Sequence, residues 1–152
     1  MKPSLEPYAA SASAADGYRR RLTIQASRER VFNAIATVDG PRHWWTTIVT
    51  GSAAAGGQLT FGFAGLDELI VMHVDAVQPP SLVCWSCTAH TRDDEWTSSV
   101  LRFELAERGR QACTLDFRHT GLPPEVIAGG WDHFLASLAA HVERASGSPF
   151  GA

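Results

Sequence analysis

Residues 125–144 read EVIAGGWDHFLASLAAHVER. Apolar side chains recur here at helical spacing. Trp131, Phe134, Leu135, Leu138 and Val142 form one stripe, while Asp132, His133, Ser137, Glu143 and Arg144 sit away from it. Gly147 and Pro149 close the helix. The residues before it change period from helical to alternating. Cys113, Leu115, Phe117 and His119 face one way and Thr114, Asp116 and Arg118 the other; Leu101, Phe103 and Leu105 likewise oppose Arg102 and Glu104. Such half-polar alternation marks an antiparallel sheet with one wet face. Its apolar face needs a cover, and the terminal helix is the element long enough to supply it.

Working back toward the start, Tyr18 to Gln25 reads as a strand, with Leu22 and Ile24 on one face. Ser27 is a good N-cap, with Glu29 in the first turn, for a short helix from Arg28 to Thr37. Asp39-Gly40-Pro41 stops that helix, and Pro41 suits the start of a second short one carrying His43, Trp44 and Trp45. A small-residue loop, Gly51 to Gly57, precedes a strand with Leu59, Phe61 and Phe63 on one face. Further strands follow at Glu68 to Val77, ended by Gln78-Pro79-Pro80-Ser81, and at Leu82 to His90. Thr91 to Asp94 reads as a hairpin loop, Glu95 to Glu107 and Gln111 to Thr120 as the last strands, and Gly121 to Pro124 as the break before the helix. The expected fold is α+β: a curved antiparallel sheet wrapped around a long C-terminal helix, with two short helices after the first strand. One domain, 18–146, is expected between a disordered Ala/Ser/Pro-rich tail, 1–17, and a C-terminal tail, 147–152.

Composition narrows the function. The chain has 152 residues, 45% hydrophobic and 19% charged, enough for one well-cored domain. The net charge of -3 comes without a basic stripe, so nucleic acid is not an expected partner. Arg19-Arg20-Arg21 and Arg28-Glu29-Arg30 read as solvated edges. No apolar run approaches a bilayer span. An odd count of three cysteines and no apolar leader suggest reduced thiols in a cytoplasm.

The order of elements, together with several motifs, resembles the SRPBCC or START-like superfamily, the helix-grip (Bet v 1-like) fold. Within it the chain is similar to the branch named after the activator of Hsp90 ATPase. The resemblance rests on RRRLTIQASRERVFNAI at 19–35, the Trp44-Trp45 pair, VDAVQPPSLV at 74–83, LDFRHTGL at 115–122 and GWDHFLASL at 130–138. It spans roughly Tyr18 to Arg144. It implies a sheet gripping the C-terminal helix, often around a cavity, in a superfamily of lipid carriers, hormone receptors and polyketide cyclases. The co-chaperone's N-terminal Hsp90-binding domain has no counterpart here, so a chaperone partner is not expected.

The resemblance locates the pocket and side-chain parity suggests its lining: Trp45, Phe61, Phe63, Met72, Trp85, Phe117, Trp131 and Phe134, with His119 as a polar member. Any one aromatic residue could be plain core, but five tryptophans exceed what packing usually needs. An empty, dry pocket of about 300 Å³ would cost roughly 7 kcal/mol, comparable with the stability of a whole domain. The cavity is therefore expected to be small, wet or occupied. His119 could orient a ligand or act as acid or base, or simply be a satisfied histidine at a strand end. His73 and Asp75 are expected on a solvated face. Cys84-Trp85-Ser86-Cys87 lies on a strand, where i and i+3 point to opposite faces, and fits neither a redox pair nor a zinc site. His90, Asp93, Asp94 and Glu95 read as a solvated turn.

No metal, cofactor or catalytic residue is assigned. The leading expectation is noncatalytic binding of a small hydrophobic or aromatic molecule between sheet and helix. The alternatives are a polyketide cyclase or hydratase-like enzyme in the same cavity, using His119 with Glu95 or Thr97, and an interaction module stimulating a partner ATPase or chaperone. With no recognisable nucleophile-base pair, the sequence gives an enzyme little support; a homodimer is left open.

Overall fold

The computed structural model describes residues 17–152; the tail expected at 1–17 falls, but for its last residue, outside the described residues. β1 (Tyr18–Ile24) leads into α1 (Arg28–Ile35), a 3-10 turn (Gly40–His43), β2 (Ile48–Gly51), β3 (Gln58–Gly62), β4 (Leu69–Gln78) and β5 (Leu82–His90). A second 3-10 turn (Asp94–Trp96), β6 (Val100–Glu107), β7 (Cys113–Thr120) and α2 (Pro124–Arg144) complete the order. This is the expected α+β helix-grip architecture. Ser27 caps α1 as its sequence implies, its Oγ accepting from the Arg30 N–H at 3.2 Å. The second short helix is present as the 3-10 turn, which ends just before Trp44 and Trp45.

All neighbours in the seven-stranded sheet are antiparallel, in the order β1-β7-β6-β5-β4-β3-β2. The meander runs from β2 to β7, and β1 closes against β7 from Tyr18↔His119 to Ile24↔Cys113. The chain between β1 and β2, with α1, therefore passes from one edge of the sheet to the other. One face carries Leu59, Phe61, Ile70, Met72, Val74, Trp85, Leu101, Phe103, Leu115 and Phe117, all buried. Against it α2 lays Ile127, Trp131, Leu135, Leu138 and Val142, spaced by about one turn each. Phe134, at the margin of the stripe, is partly buried.

Three local readings are corrected. The strand expected from Glu95 begins at Val100, because Asp94–Trp96 forms a turn that tucks Trp96 inward. Ser137 is buried, not on the wet side of the helix: its Oγ accepts the Ser148 N–H at 2.7 Å as the chain folds back after α2. The solvated turn expected around His90 holds for exposed Asp94 and Glu95, whereas His90 itself is buried. No helix among the described residues is long and apolar enough to cross a membrane.

Candidate functional site

At the end of the interface near the β3–β4 turn, sheet and helix part around a cavity of about 190 Å³. The sheet side gives Phe63, Glu68, Ile70 and His90; the Trp44-Trp45 bend gives Trp45; the 3-10 turn gives Trp96; α2 gives Val126, Ile127, Gly130, Trp131 and Phe134. Val126 and Gly130 are exposed, so the space opens to solvent along the first turns of α2. Its size is near that of the roughly 150 Å³ apolar cavity that accepts benzene.

Gly130 lies along the open side of this space. It lies inside a helix, where glycine costs about 1 kcal/mol relative to alanine. A Cβ built there would meet nothing within 4 Å. A side chain at this position would thus occupy the cavity or its mouth.

Of the residues singled out by parity, Trp45, Phe63, Trp131 and Phe134 line the cavity. Phe61, Met72, Trp85 and Phe117 point to the same side but pack in the solid core beside it, each at most 1% exposed. Their rings interlock: Trp45–Phe61 at 4.4 Å, Trp85–Phe103 at 5.2 Å, Phe103–Phe117 at 5.0 Å and Phe117–Trp131 at 4.6 Å between centroids. Such tilted contacts stabilise aromatic pairs beyond their buried area.

His119 is fully buried behind the cavity wall. The Trp131 Nε1–H donates to its Nδ1 at 3.0 Å, which leaves the proton on Nε2. That Nε2–H donates to Ser99 Oγ at 2.8 Å, and the Ser99 hydroxyl donates to the Trp96 carbonyl. Both ring nitrogens are committed, and burial pushes the imidazole pKa down to about 3. His119 is a neutral strut that fixes Trp131 and the Trp96 turn. It is not part of the lining, and Glu95 and Thr97, the other groups of the cyclase-like reading, are exposed outside it.

The polar groups that do reach the cavity are His90 and Glu68. His90 Nδ1 accepts the backbone N–H groups of Arg92 at 3.2 Å and Asp93 at 3.1 Å, so its Nε2 carries the proton. That Nε2 lies 3.7 Å from Glu68 Oε2. Burial lowers the His90 pKa, with the Glu68 charge opposing that shift. The imidazole plane leans on Trp96, 5.0 Å between centroids. Strict alternation does not point His90 inward, because a bulge intervenes, whereas Glu68 shares the parity of buried Ile70 and Met72. Cys87 pairs with Met72 and Ala89 with Val71, which leaves Thr88 as an extra residue and turns His90 inward.

Other candidates fall elsewhere. His73 and Asp75 share a 2.7 Å contact on the exposed face of the sheet, as expected. Cys87 is buried, Cys84 half-buried on the opposite face, and burial raises both thiol pKa values. Among the described residues no three His, Cys, Asp or Glu side chains converge as a metal site.

Residues 25–143 match the family model described as Activator of Hsp90 ATPase homolog 1-like protein. No curated protein matches the chain in sequence. Among solved structures, the Aha1 dimer of Colwellia psychrerythraea is 28% identical with a TM-score of 0.71, covering 85% of this chain and 97% of its own. A Mesorhizobium loti protein is 18% identical with a TM-score of 0.70, covering 84% and 98%. CalU16 of Micromonospora echinospora is 18% identical with a TM-score of 0.65, covering 82% of this chain and 64% of its own, and the likeness to these last two is one of fold.

Proposed function

The chain belongs to the Activator of Hsp90 ATPase homolog 1-like protein family, and on that premise we propose that it binds a small, mainly apolar molecule of single-ring size between sheet and terminal helix, without catalysing a reaction. One observation carries the reading: an aromatic-walled space of about 190 Å³ at the helix face where Gly130 withholds a side chain. Small-molecule sites are concave, mostly apolar and tipped by a few polar groups, and Glu68 and His90 fill the last role. The volume favours one ring over a lipid chain. Because both nitrogens of His119 are spent within the fold, the geometry favours binding over acid-base chemistry.

Native mass spectrometry of gently purified protein, paired with thermal shifts across toluene, cresols and indole, tests this. A bound species or a saturable rise in melting temperature is expected for the native chain and not for Gly130→Leu. Equal behaviour of the two proteins, or no response to any probe, would overturn it.

We also propose a homodimer. The Aha1 of Colwellia psychrerythraea is a dimer, and Ile48 on edge strand β2 and Leu66 and Leu69 at the β3–β4 turn are exposed apolar side chains. Light scattering should give twice the chain mass for the native protein and a monomer for Ile48→Lys; a monomeric native protein contradicts it.

A further inference from the structure

The polar tip of the cavity selects more than size. Among the described residues, no hydrogen bond is made by His90 Nε2 or by either Glu68 carboxylate oxygen. Their mutual distance of 3.7 Å is too long for one, and Arg92 approaches Glu68 from the exposed side at 4.0 Å. The imidazole cannot reverse its polarity, since two backbone N–H groups already point at Nδ1. The site therefore offers a fixed donor beside a fixed acceptor, both partly withdrawn from water, with side-chain exposures of 6% and 21%.

We propose, resting on the small-molecule reading above, that this pair recognises the hydroxyl of a single-ring phenol, with His90 Nε2–H donating to the phenol oxygen and the phenol O–H donating to Glu68. A hydroxyl is the smallest group that accepts and donates at one atom, and the gap between the two residues suits one oxygen. A carboxylate ligand would meet the Glu68 charge at close range. A quaternary ammonium could not accept from His90. The ring itself would lie against Trp45, Trp96 and Trp131, which all line the space. The two backbone N–H groups aimed at Nδ1 favour the neutral imidazole, and burial lowers its pKa in the same sense.

Calorimetric titration with toluene, p-cresol, p-toluate and 4-methylbenzyltrimethylammonium, which share one skeleton, decides the matter. p-Cresol should bind the native chain roughly tenfold tighter than toluene, the size of effect expected from one hydrogen bond to a charged group. In Glu68→Leu that preference should shrink to about threefold or less while toluene binding persists. Glu68→Gln, which keeps an acceptor without the charge, should fall between. Equal binding of toluene and p-cresol to the native chain overturns the hydroxyl assignment but leaves the cavity reading standing. So does a preference that survives Glu68→Leu, or tighter binding of the toluate or the ammonium. Failure of all the probes overturns both.

Discussion

Two ends of one interface are built from the same residue types and differ in what they leave between them. Across β5, β6 and β7, Trp85, Phe103 and Phe117 are at most 1% exposed and interlock ring on ring. Toward the β3–β4 turn, Phe63, Trp96 and Phe134 are only partly buried, and Trp131 faces about 190 Å³ of open space. Aromatic content therefore does not separate core from cavity. Two other features do: a helix position without a side chain, Gly130, and a donor-acceptor pair partly withdrawn from water, His90 with Glu68.

The largest difference should be in stability. Trp85→Ala or Phe117→Ala removes a fully enclosed ring and should cost about 3–5 kcal/mol in urea denaturation. Phe134→Ala, at the cavity margin, should cost less than about 1.5 kcal/mol. Similar losses at both ends would erase the distinction.

His119 sits where the two ends meet, and its effect depends on pH. Its folded pKa, about 3, lies below the ordinary 6.5. The unfolded chain thus binds more protons in between, so the contribution is full above pH 6.5 and fades as pH falls toward 3. Where this group dominates, the slope approaches about 1.4 kcal/mol per pH unit. His90 and His141, also lowered chiefly by burial, act in the same direction. His119→Gln keeps a hydrogen-bonding group without the titration and should flatten the stability profile between pH 6 and 4. An unchanged slope would remove His119 from the account.

A smaller effect separates neighbouring helix glycines. Gly129→Ala and Gly130→Ala should each raise stability by about 1 kcal/mol, since neither Cβ meets an obstacle. Only the change at Gly130 should weaken toluene binding. The smallest effect is expected from Tyr18→Phe, which breaks the hydroxyl contact to Asp132 that ties β1 to α2. With Asp132 exposed, the loss should stay within about 1 kcal/mol.

Periodicity makes the fold readable in the sequence. The change from period two in β6 and β7 to a helical stripe through Trp131, Leu135 and Leu138 fixes which faces meet. β2 escaped because four residues, Ile48–Gly51, are too few to display alternation. The site was half readable for a different reason. Parity brings Trp45, Phe63, Trp131 and Phe134 to the cavity, but it assumes an unbroken ladder. Strict alternation from Val83, Trp85 and Cys87 would bury Ala89 and expose His90; the extra residue at Thr88 reverses both. Alternation alone assigns Trp96 to a strand, because its 3-10 turn, held by the Asp93 side chain accepting from the Glu95 N–H, is too short to show a helical repeat. Ser137 looked wet because helical position alone does not reveal the returning Ser148 backbone above it.

The protein carries its own reporters for the most direct measurement. The indole N–H signals of its five tryptophans can be followed by nitrogen-proton correlation NMR during titration with toluene. Trp45, Trp96 and Trp131 line the cavity, whereas Trp44 is sealed by its own hydrogen bond to the Ala34 carbonyl at 2.8 Å. Saturable shifts of the first three signals with Trp44 unmoved are the expected result. Five signals that stay still, or drift together without saturating, would contradict a small-molecule site between sheet and helix.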